Sequence, residues 1–117
     1  MARHNVLGRL GEDRAAVFLA ESGCTILERN WRAGRAEVDF IVLDGEEIVV
    51  VEVKTRARPV ERPAELLSPG KCRNLLAAGE AYLATRGIRR EIRFDLIVVC
   101  GRGEMRVERF RDAIKLF

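Results

Sequence analysis

Two periods of apolar residues alternate along this chain and divide it into elements. Over residues 7–21, Leu7, Leu10, Ala15, Phe18 and Leu19 recur at helical spacing and Ser22-Gly23 supplies a stop, which predicts an amphipathic helix. Residues 24–31 read as a first strand, clearest at Thr25-Ile26-Leu27, with a turn over 32–34. Residues 37–43 and 48–55 are two β-rich runs joined by Asp44-Gly45, a dipeptide suited to the positive backbone angles of a tight hairpin. Pro59 and Pro63 mark residues 57–67 as a connection, with a helical turn at 64–67. Ser68-Pro69 then reads as an N-cap followed by proline in the first helical position, and Cys72, Leu75, Leu76, Tyr82 and Leu83 keep helical spacing as far as Gly87. Residues 93–100 form a strongly apolar strand that pairs with 105–110 across Gly101-Arg102-Gly103, and 112–117 are expected to close the chain as a short helix. The second long helix can cross from the hairpin to a further strand, so the order predicts an α/β fold with a mixed sheet flanked by helices.

The hairpin carries the chemistry. Strand alternation puts Glu37 and Asp39 on one face and Val38, Phe40 and Val42 on the other, then Val49, Val51 and Val53 on one face and Val50, Glu52 and Lys54 opposite. Matching the apolar faces, with Phe40 opposite Val51, sets Asp39 opposite Glu52 and Glu37 opposite Lys54. A slip by one residue would put charge beside buried valines. Carboxylates with Cβ atoms about 5 Å apart repel unless a proton, a cation or a basic side chain intervenes. Lys54 supplies one positive charge and a divalent ion two, and hard oxygen ligands favour magnesium or manganese over zinc. Glu12, on the margin of the first helix's apolar stripe, can add a further acid, with Gly8, Ala15 and Ala16 permitting close approach. Two plainer readings stay open: Glu12 as an exposed helix glutamate, and the hairpin charges as ordinary cross-strand ion pairs. Against the second stand three acids for one lysine, and a Val49-Val50-Val51 run that marks its strand as central.

Composition narrows the class. A chain of 117 residues without internal repeats is expected to be one domain, and 48% hydrophobic with 33% charged residues gives a core under a charged surface rather than disorder. No run of about 18 apolar residues offers a membrane span, and Met-Ala-Arg-His-Asn-Val lacks the apolar core of a secretory signal, so a cytoplasmic protein without membrane contact is expected. Cys24, Cys72 and Cys100 are odd in number and lack Cys-x-x-Cys spacing, against disulfides and zinc alike. Net charge is only +3, but Arg29, Arg32 and Arg35 precede the acidic pair and Arg56 and Arg58 follow Lys54. Five guanidinium groups around one patch suit phosphate, and equally a solvated arginine surface. An interaction domain using Trp31 or Phe117 is a third class; tryptophan is more often core.

Asp39 followed by Glu52-Val53-Lys54 resembles the PD-(D/E)XK signature of restriction-endonuclease-like nucleases and archaeal Holliday-junction resolvases. More specific is the ordered series Gly11-Glu12-Asp13-Arg14-Ala15-Ala16, Arg29-Asn30-Trp31-Arg32, Glu37-Val38-Asp39-Phe40-Ile41, Val51-Glu52-Val53-Lys54-Thr55-Arg56, Ser68-Pro69-Gly70-Lys71 and Arg93-Phe94-Asp95. Across nearly the whole chain it resembles the YraN family, bacterial proteins of unsettled function within that superfamily. The resemblance implies a single endonuclease-like domain over residues 1–117 with an αβββαβ core. It implies Asp39, Glu52 and the Val53 carbonyl as ligands of Mg2+ or Mn2+, Lys54 as catalytic lysine, and Glu12 and Glu37 as acids orienting water. Arg32, Arg35, Arg56 and Lys71 would contact phosphates of a nucleic acid, with DNA the closer analogy, and a homodimer is the implied assembly. A binding module that keeps the fold without catalysis is the alternative. Ala36 stands where the family's Gly-Glu-x-Asp segment has glycine, and the loop at 57–62 lacks a frequent glycine, which bears on loop shape more than on the acidic cluster.

Overall fold

The computed structural model describes residues 6–114. Helix α1 spans Val6–Glu21, followed by strands β1 (Thr25–Ala33), β2 (Ala36–Asp44) and β3 (Glu47–Arg56). A single 3-10 turn at Pro63–Leu66 leads to α2 (Pro69–Arg86), then β4 (Ile92–Cys100) and β5 (Arg106–Phe110). The ends of α2 follow from its sequence. Ser68 Oγ accepts the Lys71 N–H, Pro69 occupies the first turn where its missing N–H is harmless, and Gly87 closes the helix at φ 63°. β1 runs on to Ala33, two residues into the expected turn, which tightens to Gly34-Arg35 with Gly34 at φ 60°. The expected terminal helix is absent from residues 112–114: Asp112 lies at φ 54°, and the Ala113 and Ile114 N–H groups donate to the Phe94 carbonyl at 2.9 and 3.3 Å. Residues 115–117, including Phe117, lie outside the described residues.

The strands form one five-stranded sheet in the order β1-β2-β3-β4-β5, antiparallel except for the parallel pair β3–β4 that α2 connects. This is the mixed α/β sheet flanked by helices. α1 and α2 cover opposite faces, each over its own core: Ala15 and Leu19 pack with Phe40, Val42, Val49, Val51, Ile97 and Val99, while Leu75, Ala78 and Tyr82 pack with Val38, Ile41, Val50 and Phe94. The central strands are thus apolar on both faces, which is why β3 reads as an unbroken valine run. Two glycines set the layer spacing. A Cβ at Gly11 would overlap the Thr55 side chain, and one at Gly79 would stand 2.7 Å from Phe94 Cζ. Among the described residues, no helix is long and apolar enough to cross a membrane.

Strand alternation breaks in β2, besides a bulge between Ile26 and Glu28 in β1. Phe40 and Val42 belong to the α1 core as the pattern predicts, but Val38 belongs to the α2 core. On the neighbouring strand Asn30 sits at φ 56°, between the pairs Arg29↔Phe40 and Trp31↔Val38. That left-handed residue lets Arg29 stack on Phe40, 5.3 Å from its centroid, while Trp31 turns to meet Tyr82 edge-on at 5.2 Å. Trp31 is therefore half-buried core rather than an exposed contact. The β2–β3 ladder also ends here, at Phe40↔Val51, while β2 continues along β1 to Ala36 and β3 along β4 to Arg56. The sheet splits between its second and third strands.

Candidate active site

Extending the hairpin ladder by one step would set Asp39 and Glu52 opposite each other as a cross-strand pair. The ladder stops first, so Asp39 enters the split: its Oδ2 accepts the Val53 N–H at 2.7 Å, taking the place of a strand carbonyl. The two carboxyls still meet. Asp39 is driven up from the ordinary value to about 8, first by burial, then by the charge of Glu52, with Glu12 adding to the charge and Glu52 also acting through a hydrogen bond; only the Val53 N–H pulls downward. Glu52 lies on the α2 face, is only 4% exposed, and its Oε2 faces Lys54 Nζ at 3.4 Å and Lys71 Nζ at 3.7 Å. Its Oε1 is buried without a hydrogen-bond partner.

Glu12 acts on Asp39 through its charge from the α1 side, and is oriented by Arg29. The Arg29 Nε donates to Glu12 Oε1 at 3.2 Å and its Nη2 to Asp13 Oδ1 at 2.6 Å, while the guanidinium rests on Phe40. Glu37 is not brought opposite Lys54. Because β2 leaves β3 after Phe40, Glu37 pairs across to β1, with Arg32 Nε at 3.6 Å from its Oε2. It borders a cleft of about 640 Å3 together with Arg9, Glu12, Asp13, Arg29 and Asn30. Arg32, Arg35 and Arg56 are exposed, the last donating to its neighbour's carbonyl at 2.8 Å. Lys71, expected among the outer phosphate contacts, stands inside the site on Glu52. The sequence marks Lys71 only as a lysine in the first turn after Ser68-Pro69, where the helix dipole disfavours a cation, and does not name its partner.

The donor set can be tested for a metal on these facts. Among the described residues no group of three or more His, Cys, Asp or Glu side chains converges on one point. What converges is two carboxylates beside the Val53 peptide, with one carboxylate oxygen buried and unpaired. These are hard oxygens with no histidine or thiol, and magnesium takes only one or two carboxylates, leaving its other positions to water and phosphate. The residues fit such an ion and not zinc. Cys24, Cys72 and Cys100 are free thiols.

Among solved structures the fold is similar to Hjc, a Holliday junction resolvase from the archaeal hyperthermophile Archaeoglobus fulgidus, with a TM-score of 0.54 and 18% identity over 89% of this chain and 86% of that one. The class these elements define is thus the resolvase-like, restriction-endonuclease-like α/β fold. Within it, the chain belongs to uncharacterised protein family UPF0102, the YraN family, whose model matches residues 11–99. A UPF0102 protein of Flavobacterium psychrophilum is 40% identical over 119 residues, covering 100% of both chains. One of Bacteroides fragilis is 37% identical over 115 residues, 97% of this chain and 95% of its own.

Proposed function

We propose that this chain is a Mg2+-dependent nuclease that hydrolyses phosphodiester bonds of DNA, with branched or structured DNA as its substrate. The observation that carries this reading is the Asp39 carboxyl held in the strand split by the Val53 N–H and pressed against buried Glu52. A proton near neutral pH is a poor substitute for the cation these oxygens fit.

Asp39, Glu52 and the Val53 carbonyl would hold Mg2+, which supplies a Lewis acid toward a phosphate oxygen. Lys54 stands beside Glu52, where its ammonium can orient the attacking water and offset the charge that builds on phosphorus. Glu12, fixed by Arg29, presents a second carboxylate to that water from the α1 side. Water attacks phosphorus and the bond to the 3′ oxygen breaks, leaving a 5′-phosphate and a 3′-hydroxyl. Arg32, Arg35 and Arg56 lie exposed, where they can meet neighbouring phosphates without reading bases.

The test is incubation with labelled duplex, single-stranded and four-way-junction DNA in Mn2+, using Asp39→Asn and Lys54→Ala as controls. Both variants are expected to lose at least about 100-fold in cleavage rate. Cleavage that survives both substitutions overturns the reading. Salt-sensitive DNA binding with no turnover by the unsubstituted protein would instead establish a binding module on this fold.

A further inference from the structure

Glu52 takes two ammonium groups on one of its oxygens, and that sharing is the starting point. Lys54 and Lys71 approach Oε2 at 3.4 and 3.7 Å, while Oε1 is buried with no hydrogen-bond partner. The two lysines repel each other across a few ångströms, and a divalent cation on Glu52 would repel both.

The two lysines are not equivalent. Lys54 projects from β3, two residues beyond Glu52, and its side chain is 26% exposed. Lys71 sits in the first turn of α2, is 35% exposed, and makes the longer contact. The positive end of a helix is an unfavourable place for a cation, so Lys71 is held there by Glu52 rather than by its own element. It is the more weakly anchored and the more accessible of the two.

We infer that Lys71 is a displaceable counter-charge of the reaction centre: it neutralises Glu52 until a divalent cation takes that carboxylate, and is then released to contact the phosphate undergoing cleavage. This rests on the nuclease reading above and assigns a residue that reading leaves out. It makes Lys71 a competitor for the metal and an aid to the substrate, two effects of opposite sign. A lysine gripping a remote phosphate would produce neither.

The experiment is a calorimetric titration with Mn2+ alone, without DNA, on the unsubstituted protein, Lys71→Gln, Lys71→Met and Asp39→Asn, each first shown to fold by thermal melting in metal-free buffer. Removing one unit charge a few ångströms from the site is expected to tighten Mn2+ binding by roughly threefold to tenfold in both Lys71 variants. The same variants should lower kcat for DNA cleavage by about 10-fold or more with KM little changed, because the contact is made to the reacting phosphate. A lysine that stayed on Glu52 throughout would shift metal affinity and the melting temperature but leave kcat of the folded, metal-saturated protein unchanged. Unchanged or weaker Mn2+ binding by the Lys71 variants, with Asp39→Asn still abolishing it, overturns this inference and spares the nuclease reading. Mn2+ binding that survives Asp39→Asn removes both.

Discussion

Asp39 holds a proton that the same residue in an unfolded chain gives up near pH 4. Burial and the neighbouring Glu52 raise it to about 8. Between those two values the folded state binds more protons than the unfolded one, so stability falls as pH rises through this window and levels off above it. Asp39→Asn should abolish that slope and stabilise the metal-free protein at pH 8–9 by on the order of 2 kcal/mol. Millimolar Mg2+ should raise the melting temperature of the unsubstituted protein most at alkaline pH, where the proton no longer competes, and should leave Asp39→Asn unmoved. Thermal melts across this range, with and without Mg2+, measure all three effects. At this scale the nearness of Glu52 and Lys54 was legible from the period of two along β3, whereas Asp39 meets Glu52 through the strand split and not through the cross-strand pairing the pattern predicts. Glu37 and Lys71 were not legible. The first depends on where β2 leaves β3, and the second on where α2 lands.

Elements were readable wherever period, cap and turn residues agreed, as in α2, with Ser68 at one end and Gly87 at the other. They were misread where one residue redirected the backbone: Asn30 turned Val38 to the other core, and Asp112 steered Ile114 into the α2 core instead of a helix. A glycine that brings α1 down on β3 is Gly11, immediately before Glu12. Gly11→Ala should therefore cost about 1–3 kcal/mol, as overpacking does, and should also depress cleavage by the folded fraction, since pushing α1 away from Thr55 moves Glu12. Gly87→Ala is the control. It strains a left-handed cap by about 1 kcal/mol, far from the carboxylates, and should leave kcat intact. Urea melts paired with single-turnover cleavage separate the two outcomes.

Across the whole molecule the sheet carries two buried acids with opposite fates. Asp95, fully buried at 0% exposure, receives Arg93 Nε at 2.9 Å, Arg109 Nε at 3.1 Å and the Asp112 N–H at 2.8 Å. Asp44 and Glu47 complete the network around Arg93. Every charge there has a partner, whereas Glu52 keeps a bare oxygen. Asp95→Ala should thus destabilise by about 3–5 kcal/mol, the penalty of stranding buried arginines, while neutralising Asp39 does the reverse. Chemical denaturation of both variants tests the contrast. The sequence offered Arg93-Phe94-Asp95 only as part of a family pattern, because the partners come from β2, β3, β4 and β5 and no local spacing brings them together.

The split between β2 and β3 also sets an order of assembly. Their hairpin is a local structure that closes within about 1–10 μs, but the strand that pulls β3 away pairs Val51 with Asp95, far along the chain. Until β4 arrives, nothing stops the ladder from zipping past Phe40 and sealing the acids into an ordinary hairpin. Pulsed hydrogen exchange should find the Phe40–Val51 amides protected before those of β4. On the proposed nuclease reading, a polypeptide still emerging from the ribosome would hold Asp39 and Glu52 as a plain cross-strand pair, and the split site would open only once β4 had docked on β3.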